Sequence, residues 1–192
     1  VKTLPHYEKI QKANAPLAVV LPEFDLEKRG TVTLRAGDVW WSDFLGSKKV
    51  AASFAASPMD TINVMFSSGT TGDPKAIPWN HTSPLKSAMD GFVHHDIHPE
   101  QVVAWPTNLG WMMGPWLIFA TLLNHATMAL FNGVPSGRAF GEFIQNAGVQ
   151  VLGVIPSIVK TWRASDCMRG LDWSKVKLFS STGECSNRED YL

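Results

Sequence analysis

The chain has 192 residues, and its 17 basic and 17 acidic side chains give a formal net charge of zero. This balance gives no electrostatic reason to expect binding to nucleic acid or to an anionic membrane surface. The 8 tryptophans and 10 phenylalanines exclude a disordered chain and predict a packed core. Cys167 and Cys185 are predicted to be reduced thiols, because nothing else in the sequence indicates an oxidising compartment.

Residues 1–60 predict irregular α/β structure. Apolar runs favour short strands at residues 17–21 and 31–34, and Asp38 could begin a short helix. The Ala/Ser-rich run at residues 51–57 predicts a linker or a short helix. Because no sustained change in composition accompanies this run, we expect no domain boundary there.

The rest of the chain predicts alternating strands and helices. The apolar run 62–66 predicts a buried strand, with a return strand at 76–79, and Ser83 and Pro84 are the expected N-cap and first residue of a helix that ends near His95. Further strands are expected at residues 102–105, 126–131, 150–154 and 176–179, and helices at 116–123, 138–146 and 156–164. This alternation predicts an α/β fold with a mostly parallel sheet and flanking helices. The apolar stretch 112–131 is interrupted by polar residues and predicts a buried helix and strand, not a membrane span.

Residues 66–75, Phe-Ser-Ser-Gly-Thr-Thr-Gly-Asp-Pro-Lys, form the most informative segment. Glycines let a backbone turn and bring its N–H groups close to an anion, while hydroxyls add donors and lysine adds a positive charge. The pattern therefore predicts a cradle for a triphosphate. Its residues are Ser67, Ser68, Gly69, Thr70, Thr71, Gly72 and Lys75.

Two other kinds of loop share some features of this segment. A solvated turn without a ligand would use the same residue types, but it would rarely follow a strand with this spacing. A Walker loop needs Gly-x-x-x-x-Gly-Lys-Ser/Thr, whereas here Lys75 lies three residues after Gly72 and is followed by Ala76. The Walker pattern therefore fails.

The segment that runs from Phe66 to Trp79 resembles the phosphate loop of the adenylate-forming, or AMP-binding, superfamily. It is most similar to the acetyl-CoA-synthetase-like branch and, within it, to plant peroxisomal acyl-activating enzymes. The resemblance implies that residues 1–192 are part of the large N-terminal domain of such an enzyme. The small C-terminal domain would be absent.

A second candidate loop follows the predicted strand 176–179. Ligands bind beyond the carboxyl ends of strands in open α/β sheets, so this loop is expected to meet the same ligand as the first. The resemblance implies that Gly183, Glu184 and Cys185 line the adenine and that Thr182 faces the acyl pocket. Cys185 stands where relatives carry proline or alanine. A simple helix-entry turn is the alternative.

The acyl pocket is further implied by resemblance at His81 and at the segment around Trp111. Its other residues would be Met112, Met113 and Gly114. A packed aromatic core segment and ordinary loop hydrogen bonding are the respective alternatives. Asn108 replaces an aspartate of the relatives, so no catalytic role is assigned to it.

Histidines 94, 95 and 98 raise the question of a metal site. His94 and His98 have the i,i+4 spacing that can hold zinc, but Pro99 predicts that the helix ends there. We therefore expect solvent-facing histidines and no metal site. Neither a nucleophilic Cys185 nor a serine hydrolase is supported, because a Cys/His pattern and a Gly-x-Ser-x-Gly elbow are both missing.

The resemblance implies that a carboxylic acid is activated with ATP and Mg²⁺ to an acyl-adenylate, and that CoA then takes the acyl group. Residues 186–189 fit a capping box close to the end of the sequence. This pattern, with the missing adenine-stacking motif and C-terminal lysine, predicts a fragment that is inactive by itself. The alternatives are a non-catalytic nucleotide-binding or interaction module and a peptide-synthetase adenylation domain. The resemblance implies a peroxisomal location, and the protein is otherwise expected to be cytoplasmic. The sequence predicts neither the identity of the acid nor the oligomeric state.

Overall fold

A computed structural model describes residues 6–21, 32–46, 53–67 and 72–190. The chain divides into two compact units, Val1–Phe54 and Ala55–Leu192. The division falls inside the Ala/Ser-rich run, where an unchanged composition had predicted no boundary. Composition does not record which residues pack together, and packing is what separates the units. Residues 53–57 of this run form neither helix nor strand.

The described residues of the first unit form four short elements: α1 (His6–Lys12), β1 (Val19–Val20), β2 (Val39–Trp40) and α2 (Trp41–Phe44). β1 and β2 pair in parallel, which confirms a strand within residues 17–21. Residues 32–34 form no strand, contrary to expectation, and lead instead into a turn at residues 36–37.

Asp38 organises this unit. Its carboxylate accepts hydrogen bonds from the Arg35 guanidinium at 2.8 and 3.0 Å, from the Tyr7 hydroxyl at 2.5 Å and from the Ala18 N–H at 2.8 Å. These donors, Arg35 first, hold the pKa of Asp38 well below its usual range. Asp38 thus connects the residues that precede β1 to those that precede β2. It does not begin the short helix, as the sequence had suggested, because that helix begins at Trp41.

The second unit begins with a hairpin. β3 (Thr61–Ser67) pairs antiparallel with β4 (Lys75–Asn80), as the sequence predicted. The expectation that β3 is buried is wrong, because among its residues only Met65 is buried. Side chains alternate between the two faces of a strand, and the face that carries Ile62, Val64 and Phe66 is exposed, with Phe66 at 68%.

A four-stranded parallel sheet forms the centre of the second unit. Its order is β6 (Thr127–Ala129), β5 (Val102–Ala104), β7 (Val151–Val154) and β8 (Leu178–Ser181). The connecting helices are α3 (Thr82–His95), α4 (Met113–Leu122), α5 (Arg138–Ala147) and α6 (Pro156–Ser165). The predicted α/β architecture with a parallel sheet is confirmed, although the ends of several elements differ from those predicted.

Two apolar clusters cover opposite faces of this sheet. Val103 and Val151 point towards Leu117 of α4, while their neighbours Ala104 and Leu152 point towards α5 and α6. This division follows from the alternation of side chains along each strand. The result is a three-layer arrangement in which the central strand β7 is buried at every residue. No helix in the described ranges is long and apolar enough to cross a membrane.

The start of α3 differs from its prediction. The helix begins at Thr82, and the preceding Asn80 accepts hydrogen bonds from the Thr82 N–H at 3.0 Å and the Thr82 hydroxyl at 2.7 Å. Ser83 therefore lies in the first turn and is not the cap. At the other end of the chain, residues Arg188–Asp190 form a short 3₁₀ helix, and Asn187 accepts a bond from the Glu189 N–H at 3.2 Å, so Ser186 is not the cap there.

Candidate active site

The β3–β4 hairpin presents the predicted phosphate loop. Ser67, the last residue of β3, lies opposite Lys75, the first residue of β4, so the loop emerges between a hydroxyl and an exposed lysine. Gly72 lies in an exposed bend on the return side. The predicted loop residues Ser68, Gly69, Thr70 and Thr71 lie outside the described residues.

The second candidate loop leaves the carboxyl end of β8. Gly183 has a φ of +91°, a conformation that residues with a Cβ rarely adopt. The Glu184 carboxylate accepts hydrogen bonds from the Ser157 N–H at 3.1 Å and the Ser157 hydroxyl at 3.0 Å. An anion at the start of a helix satisfies free N–H groups and interacts well with the helix dipole. Glu184 therefore fixes this loop to the start of α6, and the neighbouring Cys185 is exposed.

A cavity of about 650 Å³ lies between α3, the start of α4 and the end of β8. Of the predicted acyl-pocket residues, Met112, Met113 and Thr182 line it. The cavity wall otherwise comes from the α3 face, from aromatic rings and from the end of β8: Trp79, Thr82, Ser83, Lys86, Ser87, Asp90, His95, Trp105, Trp116 and Ser181.

The other predicted acyl-pocket residues are not part of this lining. His81 is exposed just before α3, and Trp111 is exposed at 65%. The absence of a side chain at Gly114 lets its backbone pack closely against that of Leu109, because a Cβ there would lie 2.4 Å from the Leu109 backbone. Asn108 shapes the same turn through its side-chain oxygen, which accepts a bond from the Gly110 N–H at 2.8 Å.

Three rings form a cluster at one part of the cavity wall, and the sequence did not predict it. The Trp116 ring meets Trp105 edge to face at 5.3 Å and His95 at 4.8 Å between ring centroids. The Trp105 ring lies directly on β7 because residue 153 is glycine. A Cβ at Gly153 would be 1.8 Å from Trp105 Cδ2. The only sequence signal for this cluster was the unusual number of tryptophans.

His95 is a correction to the sequence prediction. Its ring is half-buried in the cavity wall, and its Nε2 lies 3.0 Å from the Ser180 hydroxyl on β8. His94 does face solvent, and the His98 Nε2 lies 2.7 Å from the Asp96 carboxylate. Within the described ranges, no three His, Cys, Asp or Glu side chains are grouped so that they could hold a metal ion.

Lys86 and Asp90 bring charge to the α3 side of the cavity. Their ammonium and carboxylate groups form an ion pair one helical turn apart, so the two charges offset each other. The lysine stem can also cover apolar surface while its head stays in water. The cavity can therefore accept an uncharged, mainly apolar group between the pair on α3 and the three rings.

Comparisons with known proteins identify a family for this chain. Residues 4–190 match the family described as AMP-binding enzyme. The chain is 51% identical to a protein named probable acyl-activating enzyme 17, peroxisomal, from Arabidopsis thaliana, and 48% identical to one named hexanoyl-CoA synthase from Cannabis sativa. Each alignment covers 100% of this chain but only 27% of the relative, so the chain spans about a quarter of the length of these relatives.

The fold has a counterpart among solved structures. An acetoacetyl-CoA synthetase from Streptomyces lividans superposes with a TM-score of 0.73 at 24% identity, over 83% of this chain and 26% of that one. This similarity supports the fold alone. The match over residues 4–190, which includes the hairpin loop and the β8 loop, shows that the chain belongs to the AMP-binding enzyme family.

Proposed function

We propose that the complete gene product activates an apolar carboxylic acid with ATP and then transfers the acyl group to CoA. In the first step the acid's carboxylate attacks the α-phosphorus of ATP, which gives an acyl-adenylate and pyrophosphate. In the second step the CoA thiol displaces AMP and forms a thioester. The observation that carries this proposal is the 650 Å³ cavity lined by Met112, Met113 and Thr182, in a unit that also carries the phosphate-loop hairpin.

The phosphate-loop residues would hold the β- and γ-phosphates. Lys75 is exposed at the neck of the loop opposite Ser67, where its charge can neutralise the departing pyrophosphate. Nucleotidyl transfer depends on positioning and charge neutralisation more than on covalent chemistry by the protein. Gly72 and the residues Ser68, Gly69, Thr70 and Thr71 would add backbone and hydroxyl donors.

The β8 loop would line the adenine. Because the Glu184 carboxylate is engaged by Ser157, we expect the backbone of residues 183–185 to contact the base and the Glu184 side chain to hold that backbone in place. The acyl group would lie against Met112, Met113 and Thr182. His81, Trp111 and Gly114 would act from outside the cavity lining, by supporting α3 and the turn before α4.

Magnesium and CoA belong to the proposed reaction but not to the part of the site described above. The described residues contain no group of three His, Cys, Asp or Glu side chains that could hold a metal ion. We propose that the Mg²⁺ ligand belongs to another part of the complete protein. The catalytic lysine is expected elsewhere too. A peroxisomal location is proposed because relatives that are 51% and 48% identical carry that word in their names.

The test is a panel of carboxylic acids, from acetic to dodecanoic acid and including aromatic acids, offered to the purified complete gene product. We expect acid-dependent exchange of pyrophosphate into ATP, and AMP release that requires CoA. ATP binding without exchange for any acid would support the alternative of a non-catalytic nucleotide-binding module. Exchange with acyl transfer to a carrier domain and not to CoA would support the peptide-synthetase alternative.

A further inference from the structure

The residues of β8 and those that follow it show which end of the cavity lies towards the core of the sheet. Leu178 and Ser180 lie on the same face of the strand, since side chains alternate, and residues two apart are about 6.6 Å apart along it. Thr182 directly follows the strand. Thr182 lines the cavity beyond the carboxyl end of the strand, whereas Leu178 packs against the apolar cluster under α4. Ser180 lies between these two residues and is not part of the lining, whereas Ser181 and Thr182 are. The cavity therefore ends before Ser180.

His95 occupies this end of the cavity. It comes from the last turn of α3 and reaches β8, where its Nε2 lies 3.0 Å from the Ser180 hydroxyl. Its Nδ1 lies 3.4 Å from the Asp90 carbonyl, which can only accept a hydrogen bond. The neutral ring thus satisfies both partners when Nδ1 carries the proton and Nε2 accepts the Ser180 hydroxyl hydrogen. Two fixed partners give the ring one orientation.

Of the three rings in this wall, the two tryptophan rings are held by the apolar core, and His95 is the one that can be replaced most easily. Trp105 is 5% exposed, belongs to the apolar cluster under α4 and lies on Gly153. Trp116 stands against that same cluster from α4. His95 contacts both tryptophan rings but is itself only half-buried. Replacing it therefore removes ring contacts from the cavity wall but leaves the residues of the apolar core in place.

We propose that His95 is a specificity-determining residue that closes the inner end of the acyl pocket and limits the length of the acid. This inference rests on the proposed function, because it assigns the cavity to the acyl chain. The acid's tail would run along α3 from Thr182 towards the imidazole and stop at the His95–Ser180 bridge. The substrate class is then an apolar acid whose length is set by the distance from the reacting carboxylate to His95.

The experiment compares straight-chain acids with the complete gene product and its His95→Ala variant. Removing the imidazole opens the inner end of the cavity, so the preferred acid becomes longer. One methylene in an apolar pocket changes kcat/KM by roughly 10-fold or more, so we expect the ratio of kcat/KM for longer over wild-type-preferred acids to rise about tenfold. The KM for ATP stays unchanged, which a general loss of structure would not give.

Three matched variants separate volume from other effects. His95→Phe keeps a ring but loses the bond to Ser180, and it should retain the wild-type length preference. His95→Trp fills more of the cavity and should shift the preference towards shorter acids, which keeps a test available if His95→Ala does not fold. His94→Ala removes an exposed histidine from the same helical turn and should change nothing.

The outcomes distinguish this inference from the function on which it rests. An active wild type, with an unchanged length profile in both His95→Ala and His95→Trp, overturns the inference and leaves acid activation standing. A wild type that activates no acid in the panel removes the proposed function first, and the inference with it.

Discussion

The hairpin and the parallel sheet of the second unit build two parts of the candidate site in opposite ways. In the hairpin strand β3 only Met65 is buried, and the predicted phosphate ligands Ser67 and Lys75 stand at its open end. In the sheet, every residue of β7 is buried, and Trp105 lies on Gly153 with no room for a further carbon atom.

This difference separates two kinds of contribution to activity. An exposed charge such as Lys75 can contribute to the binding of an anion without contributing to the core. A ring such as Trp105 shapes the cavity only because the core holds it in place. Substitutions at exposed residues of the hairpin should therefore alter kinetics alone, whereas substitutions below the cavity should alter stability and kinetics together.

The largest effect is expected for Gly153→Ala. The new Cβ would lie 1.8 Å from the Trp105 ring, so the ring or the strand must move, and overpacking of a core costs about 1–3 kcal/mol or more. We expect a loss of unfolding free energy of this size in urea denaturation, together with weaker binding of the acid. Gly46→Ala, where a Cβ meets nothing within 4 Å, is the control. Equal stability of the two variants would contradict the rigid packing of this part of the site.

The hairpin and the parallel sheet also differ in how well the sequence predicts them. The phosphate loop was predicted because its chemistry lies in ten consecutive residues, and the hairpin because two apolar runs flank it. The exposure of Ile62, Val64 and Phe66 was not predicted, since an apolar run looks the same whether or not another layer covers it.

The sheet side was predicted as architecture but not as a site. Apolar strands alternating with helices indicated a parallel sheet, and the order β6-β5-β7-β8 followed only from the structure. The role of His95 depends on Ser180, which lies 85 residues away in sequence. The sequence of α3 alone predicts that His95 faces solvent, because nothing near His95 in the sequence indicates a contact with β8.

The second effect in size is expected for Lys75→Ala, which tests the hairpin. A charge-assisted hydrogen bond to phosphate contributes roughly 1.5–3 kcal/mol, which corresponds to about a 10- to 100-fold fall in kcat/KM for ATP. Stability should not change, because Lys75 is exposed. Lys160→Ala, an exposed lysine on α6, should leave both quantities unaltered. A Lys75→Ala variant that is destabilised but kinetically normal would reverse the assignment of the hairpin.

A smaller effect is expected for Glu184→Ala, at the loop that joins the sheet to the proposed adenine site. Loss of the bonds to the Ser157 N–H and hydroxyl removes the cap of α6 and should cost about 1 kcal/mol of unfolding free energy. The KM for ATP should rise as well, because the loop that Glu184 fixes would be free to move. Glu142→Ala removes a surface pair with Arg138 and should change neither. A normal KM for ATP in Glu184→Ala would separate this loop from nucleotide binding.

The smallest effect concerns acid stability at the turn that leads into β8. The hydroxyl and N–H of Ser174 donate to the Asp172 carboxylate and, with a weaker contribution from Lys175, lower the pKa of Asp172 below its usual value. A carboxylate whose pKa is lower in the folded than in the unfolded chain stabilises the fold above the unfolded pKa of about 3.9. That contribution is lost as the pH falls through the folded pKa.

Asp172→Asn should therefore be less stable than the wild type at neutral pH, and the difference should shrink as the pH falls below about 4. Ser174→Ala, which removes the hydroxyl donor, should give a smaller change of the same sign. The measurement is the unfolding free energy of each complete gene product across this pH range, beside the KM for ATP at neutral pH. Because Asp172 lies outside the cavity lining, that KM should stay at the wild-type value. A raised KM would mean that the turn before β8 controls the β8 loop, and the sheet side would then be less rigid than its buried strands indicate.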